Sequence, residues 1–166
     1  MNERWFKLPN NRGVIRFNNE SLEHMYSHAQ TRWNKPEAGG QLFSKTPESS
    51  EVLVCCATGP HPTDRRSRCG FCPDVKMANA DRQNLFSLGY YAVGLWHTHP
   101  EHTPAPSIKD IRTTHEYLQA FNGEMEGFLL ITIGNKGTPL NMSVCLATLT
   151  PKKSWVELNE IPPESN

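Results

Sequence analysis

The stretch that most constrains this chain is Trp96-His97-Thr98-His99-Pro100, which closes the apolar run Tyr91-Ala92-Val93-Gly94-Leu95-Trp96. A short run rich in β-branched and aromatic residues reads as a buried strand. Alternate side chains of a strand share a face, so His97 and His99 point the same way. At the usual rise they stand roughly 6–7 Å apart along the backbone, a separation from which two imidazoles can meet at one metal ion. Pro100 and the proline-bearing loop up to Pro106 then stop the strand. Ser107 opens a helix, with Asp110 one turn inside it. Two neutral histidines and one carboxylate are a common catalytic zinc set that leaves a fourth position for water.

Each fragment has an ordinary explanation when taken alone. Ser107-x-x-Asp110 is also a helix-capping pattern, and a lone His-x-His occurs in chains that hold no metal. Strand, loop and helix start in this order are far more specific. A metal-activated water also needs a partner base, and Glu37 in Pro36-Glu37-Ala38-Gly39-Gly40 offers one. By itself Glu37 would read as an exposed turn carboxylate.

With Glu37, His97, His99, Ser107 and Asp110 together, the chain resembles the JAB/MPN zinc metalloproteases, the JAMM class that removes ubiquitin and ubiquitin-like tags. The resemblance spans about residues 13–150 within a single 1–166 domain and leaves a polar tail over 151–166. It implies an α/β fold of the mixed α+β kind, a cytidine-deaminase-like α/β/α sandwich with a curved mixed sheet. It also implies one Zn²⁺ per chain on His97, His99 and Asp110, with Glu37 as general base and Ser107 stabilising the oxyanion. The wording Trp-His-Thr-His-Pro is most similar to the compact bacterial branch found in antiphage signalling operons (CBASS). The partner so implied is the C-terminal tail of a ubiquitin-like protein or of a conjugated nucleotidyltransferase, with a ubiquitin-transferase-like enzyme from the same operon. Processing of a sulfur-carrier precursor, and a non-catalytic MPN scaffold, are the alternatives. Cytidine-deaminase chemistry is disfavoured, because its Pro-Cys-x-x-Cys after the histidine is missing.

Elsewhere the chain alternates strand and helix patterns. Residues 1–12 read as a loose polar arm that Trp5 and Phe6 could dock. Val14–Phe17 reads as a strand. Leu22, Met25, Tyr26, Ala29 and Trp33 form one helical face, with the helix ended by Pro36. His24 and His28 lie off that stripe and read as a solvated face. Strands are expected at Gly39–Ser44 and Glu51–Thr58, the latter with Cys55 and Cys56 as packing residues. A polar loop over Gly59–Pro73 carries Arg65, Arg66 and Arg68, which could wall a substrate groove.

Asp74 caps a second helix, whose face is Val75, Ala78, Leu85 and Phe86, interrupted by Arg82, and which Gly89 ends. The third helix, Ser107–Phe121, presents Ile108, Ile111, His115, Leu118 and Phe121, with His115 as a core histidine and Asn122-Gly123 as the stop. Phe128–Ile133, a turn at Gly134–Gly137, and Leu140–Leu149 complete the pattern. Trp155 is placed to pin the tail, and its Pro162-Pro163 end is expected to be disordered.

Composition narrows the function classes. Lys+Arg and Asp+Glu number 17 each, which gives no basic footprint for nucleic acid or an anionic membrane. No 18-residue apolar run or leader pattern is present, so a cytoplasmic protein is expected. The 5 cysteines make an odd set without secretory context, so no disulfide framework is expected. Cys69-x-x-Cys72 lacks the further ligands of a structural zinc and reads as incidental thiols, ahead of a redox pair.

Overall fold

The computed structural model describes residues 2–121 and 125–162. Its centre is β8 (Tyr91–Thr98), the strand that carries the histidine motif. Beside it run β3 (Gly39–Ser44) in antiparallel and β9 (Gly127–Gly137) in parallel register. β5 (Cys56–Ala57), β10 (Leu140–Thr148) and β11 (Ser154–Glu157) extend this into a mixed sheet ordered β11-β10-β9-β8-β3-β5. A second sheet, β12-β1-β2-β4, is built from β1 (Arg4–Lys7), β2 (Val14–Phe17), β4 (Glu51–Val54) and β12 (Glu160–Ile161).

The expected mixed α+β class is therefore present. Phe6, Phe17 and Val54 of the small sheet pack with Leu22 and Met25 of α1 (Asn19–Ser27) onto Leu42, Trp96 and Ile131 of the large sheet. A smaller cluster of Leu118, Phe128 and Ala147 lies under α3 (Ile108–Ala120). Burial of each large apolar side chain contributes roughly 1.5–3 kcal/mol.

The ends of the chain depart from expectation. Residues 4–7 are a strand, not a loose arm, because Phe6 is buried edge-on against Phe17 at 5.7 Å. The 151–166 segment contributes β11 and β12. Arg4 bonds Glu160 at 2.6 and 2.5 Å, which ties the two ends together. Trp155 does pin the tail, packing in the cluster under α3. Pro163 and the Asn122-Gly123 stop lie outside the described residues.

Other boundaries shift for local reasons. α1 ends at Ser27, well before Pro36, so Trp33 falls out of helical phase and is 82% exposed. The expected Glu51–Thr58 strand is two strands, since the chain switches sheets at Cys55. The expected loop over 59–73 contains a hairpin, β6 (Arg65–Ser67) and β7 (Gly70–Cys72). Its polar side chains hide the period-two signal. β9 runs through the expected turn at Gly134–Gly137 and reverses at Thr138-Pro139.

α2 (Val75–Ser87) buries only Ala78, leaving Val75 and Phe86 exposed. It is held by polar contacts instead. Gln41 donates to the Ala78 carbonyl at 2.8 Å and accepts from Arg82 at 2.7 Å. Arg82 also stacks over Tyr117 of α3, at 5.4 Å from the ring centroid. Ile108, expected on the apolar face of α3, is exposed in its first turn. His115 is a satisfied core histidine, 2.8 Å from the Ile111 carbonyl and 3.0 Å from that of Ser154.

Candidate metal centre and catalytic cleft

The five motif residues come from three elements and converge at one end of the large sheet. Gly39 pairs with His97 across β3 and β8, which sets Glu37, two residues before the strand, beside the motif. Close backbone approach is built in here. A Cβ at Gly40 would sit 1.8 Å from the Thr58 carbonyl oxygen, so only glycine fits. Trp96 locks the same corner, its indole donating to Thr58 O at 2.9 Å.

His97 and His99 share a face as strand geometry requires, their ring centroids 4.5 Å apart. Thr98 between them points inward, wholly buried, and accepts from the Ala38 amide at 3.0 Å. His97 is 7% exposed, and its Nδ1 lies 3.2 Å from Glu37 Oε1. With Nδ1–H donating to that carboxylate, the Nε2 lone pair is left for another partner. Its neighbours are Thr132 Oγ1 at 3.2 Å and Asp110 Oδ2 at 3.7 Å. His99 Nε2 lies at the same 3.7 Å from Asp110 Oδ2. Burial first, and the adjacent His97 second, lower the His99 pKa from its ordinary value, which favours the neutral form that can ligate.

Asp110 is held by the capping box expected at this helix start. Ser107 N donates to Asp110 Oδ2 at 2.7 Å, and Asp110 N donates to Ser107 Oγ at 3.2 Å. The cap thus aims the carboxylate at both histidines. The Ser107 oxygen accepts, so its own hydrogen is left to donate into the cleft. That cleft measures about 450 Å³ and is lined by all five motif residues together with Phe71 and Lys109.

These residues fit a metal ion. Ligands at about 2.0–2.1 Å on a tetrahedral zinc stand roughly 3.4 Å from one another. The two Asp110–His separations, 3.7 Å each, exceed a hydrogen bond and come close to that value. Glu37, His97 and His99 also bring ligand-type atoms within 4.8 Å of one another. Asp110 and Glu37 thus both flank the histidine pair, Asp110 against the Nε2 edges and Glu37 against Nδ1 of His97.

Arg65, Arg66 and Arg68, expected as a groove wall, do not line the cleft; Arg66 instead donates to the Glu37 carbonyl at 2.6 Å. Sequence reasoning missed other supporting groups: Gln30 donates to the Lys35 and Arg68 carbonyls at 3.0 and 2.8 Å. Strand alternation could have flagged Thr98 as inward-facing, but long-range contacts such as Gln30 to Arg68 leave no local signature. His24 and His28 do not form a solvated face. They pack against Trp96 with ring centroids 5.6 and 5.8 Å away, and His24 Nε2 lies 2.6 Å from Gly59 O.

The fold brings a cluster of residues that could hold a metal ion to one end of a mixed sheet. Residues 19–146 match the family described as prokaryotic homologs of the JAB domain, and the chain belongs to that family. A CD-NTase/cGAS isopeptidase of Pseudomonas aeruginosa is 32% identical over 127 residues, covering 75% of this chain and 79% of that protein. Deubiquitinase MYSM1 of Mus musculus is 30% identical over 127 residues, 75% of this chain but only 15% of that longer protein. A solution structure of a protein from Desulfitobacterium hafniense superposes with a TM-score of 0.59 at 18% identity, covering 87% of this chain and 88% of that one, and so shares the fold. Among the described residues no helix is long and apolar enough to cross a membrane.

Proposed function

We propose that this chain is a zinc-dependent JAMM isopeptidase that hydrolyses the bond joining the C-terminal residue of a protein tag to its target. The observation that carries the reading is the convergence of His97 Nε2 and His99 Nε2 on Asp110 Oδ2, at 3.7 Å each, with Glu37 beside them. His97, His99 and Asp110 would hold the ion. Zinc, when bound there, supplies a Lewis acid that acidifies water and polarises the scissile carbonyl.

The remaining work falls to the side chains. Glu37 takes the proton of the attacking water and returns it to the departing amine, a role typically worth about 10²–10⁴-fold in rate. His97 orients the Glu37 carboxylate through its Nδ1–H. The Ser107 hydroxyl donates to the developing oxyanion, typically worth about 10²–10³-fold. No covalent intermediate is required, so none of the cysteines acts as nucleophile.

The similarity to CD-NTase/cGAS isopeptidases from three bacteria supports a conjugated nucleotidyltransferase as the substrate, in cytoplasmic antiphage defence. The alternative tag is a ubiquitin-like protein ending in glycine. The test is cleavage of two matched fusions, one joined through a nucleotidyltransferase C-terminus and one through a Gly-terminated ubiquitin-like protein. Release from the first fusion alone is the expected result. Release from neither by zinc-loaded protein contradicts the reading.

A further inference from the structure

The Glu37 peptide lies outside the ladder that orders its neighbours, because β3 begins only at Gly39. Among the described residues its main chain is held by the β6–β7 hairpin. Glu37 N donates to Ser67 O at 2.8 Å. Arg66 Nε donates to Glu37 O at 2.6 Å, and Arg66 Nη2 to Pro36 O at 3.4 Å. Arg66 is the half-buried, inward-facing member of its strand, while Arg65 and Ser67 face solvent. The hairpin is tied to the same corner a second time, by Gln30 Nε2 to Arg68 O and by the Thr98 hydroxyl to Gln30 Oε1 at 3.3 Å. The guanidinium is directed at main-chain oxygens, and the carboxylate contacts His97.

We infer that Arg66 is a positioning residue for Glu37, its guanidinium fork fixing two successive carbonyls so that the carboxylate reaches His97 Nδ1 and the reacting water. A fork with two donors in a fixed plane does this where a single ammonium cannot. The inference deepens the isopeptidase reading and rests on it.

The test compares wild type, Arg66→Ala and Arg66→Lys, each also combined with Glu37→Gln. The substrate is a reporter joined through a nucleotidyltransferase C-terminus. Zinc content and the ¹⁵N resonance of His97 Nδ1 are read in parallel. Misplacement by about 1 Å costs on the order of 10²-fold. Arg66→Ala is therefore expected to lower kcat about 10- to 100-fold with KM and zinc content little changed, Arg66→Lys to recover part of the loss, and the His97 Nδ1 resonance to move as it does in Glu37→Gln. In the Glu37→Gln background Arg66→Ala should cost little more, since both act through one group.

An equal further loss in that background, a change in KM alone, or an unmoved His97 resonance overturns the inference. If Arg66→Ala does not fold, Arg66→Lys carries the same comparison. A wild type that binds zinc but never cleaves defeats the isopeptidase reading instead, and the His97 resonance still decides the role of Arg66.

Discussion

Asp110 Oδ2 stands 3.7 Å from His99 Nε2 and accepts from Ser107 N at 2.7 Å, so one carboxylate oxygen serves both the helix cap and the histidine pair. Under the proposed function, stability and metal binding are thereby coupled in a single side chain. Asp110→Asn keeps the shape of the cap but loses the charge that a divalent ion needs. We expect thermal stability of the metal-free protein to fall by no more than about 1 kcal/mol, the scale of a weakened cap, while zinc affinity collapses. Calorimetry of metal-free protein, beside a zinc titration, checks both.

Ser107 separates in the same way. Ser107→Ala removes the cap acceptor and the oxyanion donor together, costing about 1 kcal/mol of stability and about 10²–10³-fold in kcat. Ser107→Thr retains both functions. A Ser107→Ala enzyme with full kcat would leave Ser107 a cap and nothing more.

His28 predicts a pH dependence of stability. Burial first, then the neighbouring His24, Arg66 and Lys35, lower it from 6.5 to about 4. The folded state therefore binds fewer protons than the unfolded chain between those values, and stability must rise with pH across that window. The contribution is complete above pH 6.5 and is lost as pH falls toward about 4. Melting temperatures of wild type and His28→Gln across this range are expected to converge at the acid end. Parallel curves would contradict the assignment.

Much of this was legible in the sequence, for stated reasons. The short apolar run before His97 and the Ser107-x-x-Asp110 cap are local signals, and local geometry delivered them. The exchange of sheets at Cys55, the hairpin around Arg66 and the pairing of Arg4 with Glu160 are decided by partners far along the chain. Apolar periodicity also misled at α2, where Gln41 and Arg82 replace an apolar face. Sequence reading found the groups that converge at the cleft and missed the groups that hold them.

Gly40 provides a test of the close approach that sets Glu37 in place. A methyl group there would meet the Thr58 carbonyl at 1.8 Å, a main-chain atom that cannot swing aside. Gly40→Ala is expected to destabilise by about 1–3 kcal/mol or more, as overpacking does, and to lower kcat by displacing Glu37. Denaturant unfolding with matched kinetics measures both. An unchanged midpoint would mean that β3 and the Thr58 segment can part without cost.

The central claim is that His97, His99 and Asp110 bind the ion while Glu37 transfers protons. Elemental analysis of wild type, Asp110→Ala and Glu37→Gln, each assayed on a fusion joined through a nucleotidyltransferase C-terminus, tests it most directly. We predict about one zinc per chain in wild type and Glu37→Gln, none in Asp110→Ala, and cleavage by wild type alone. Zinc lost from Glu37→Gln but kept by Asp110→Ala would reverse the two roles, and a wild type that cannot take up zinc would contradict the account outright.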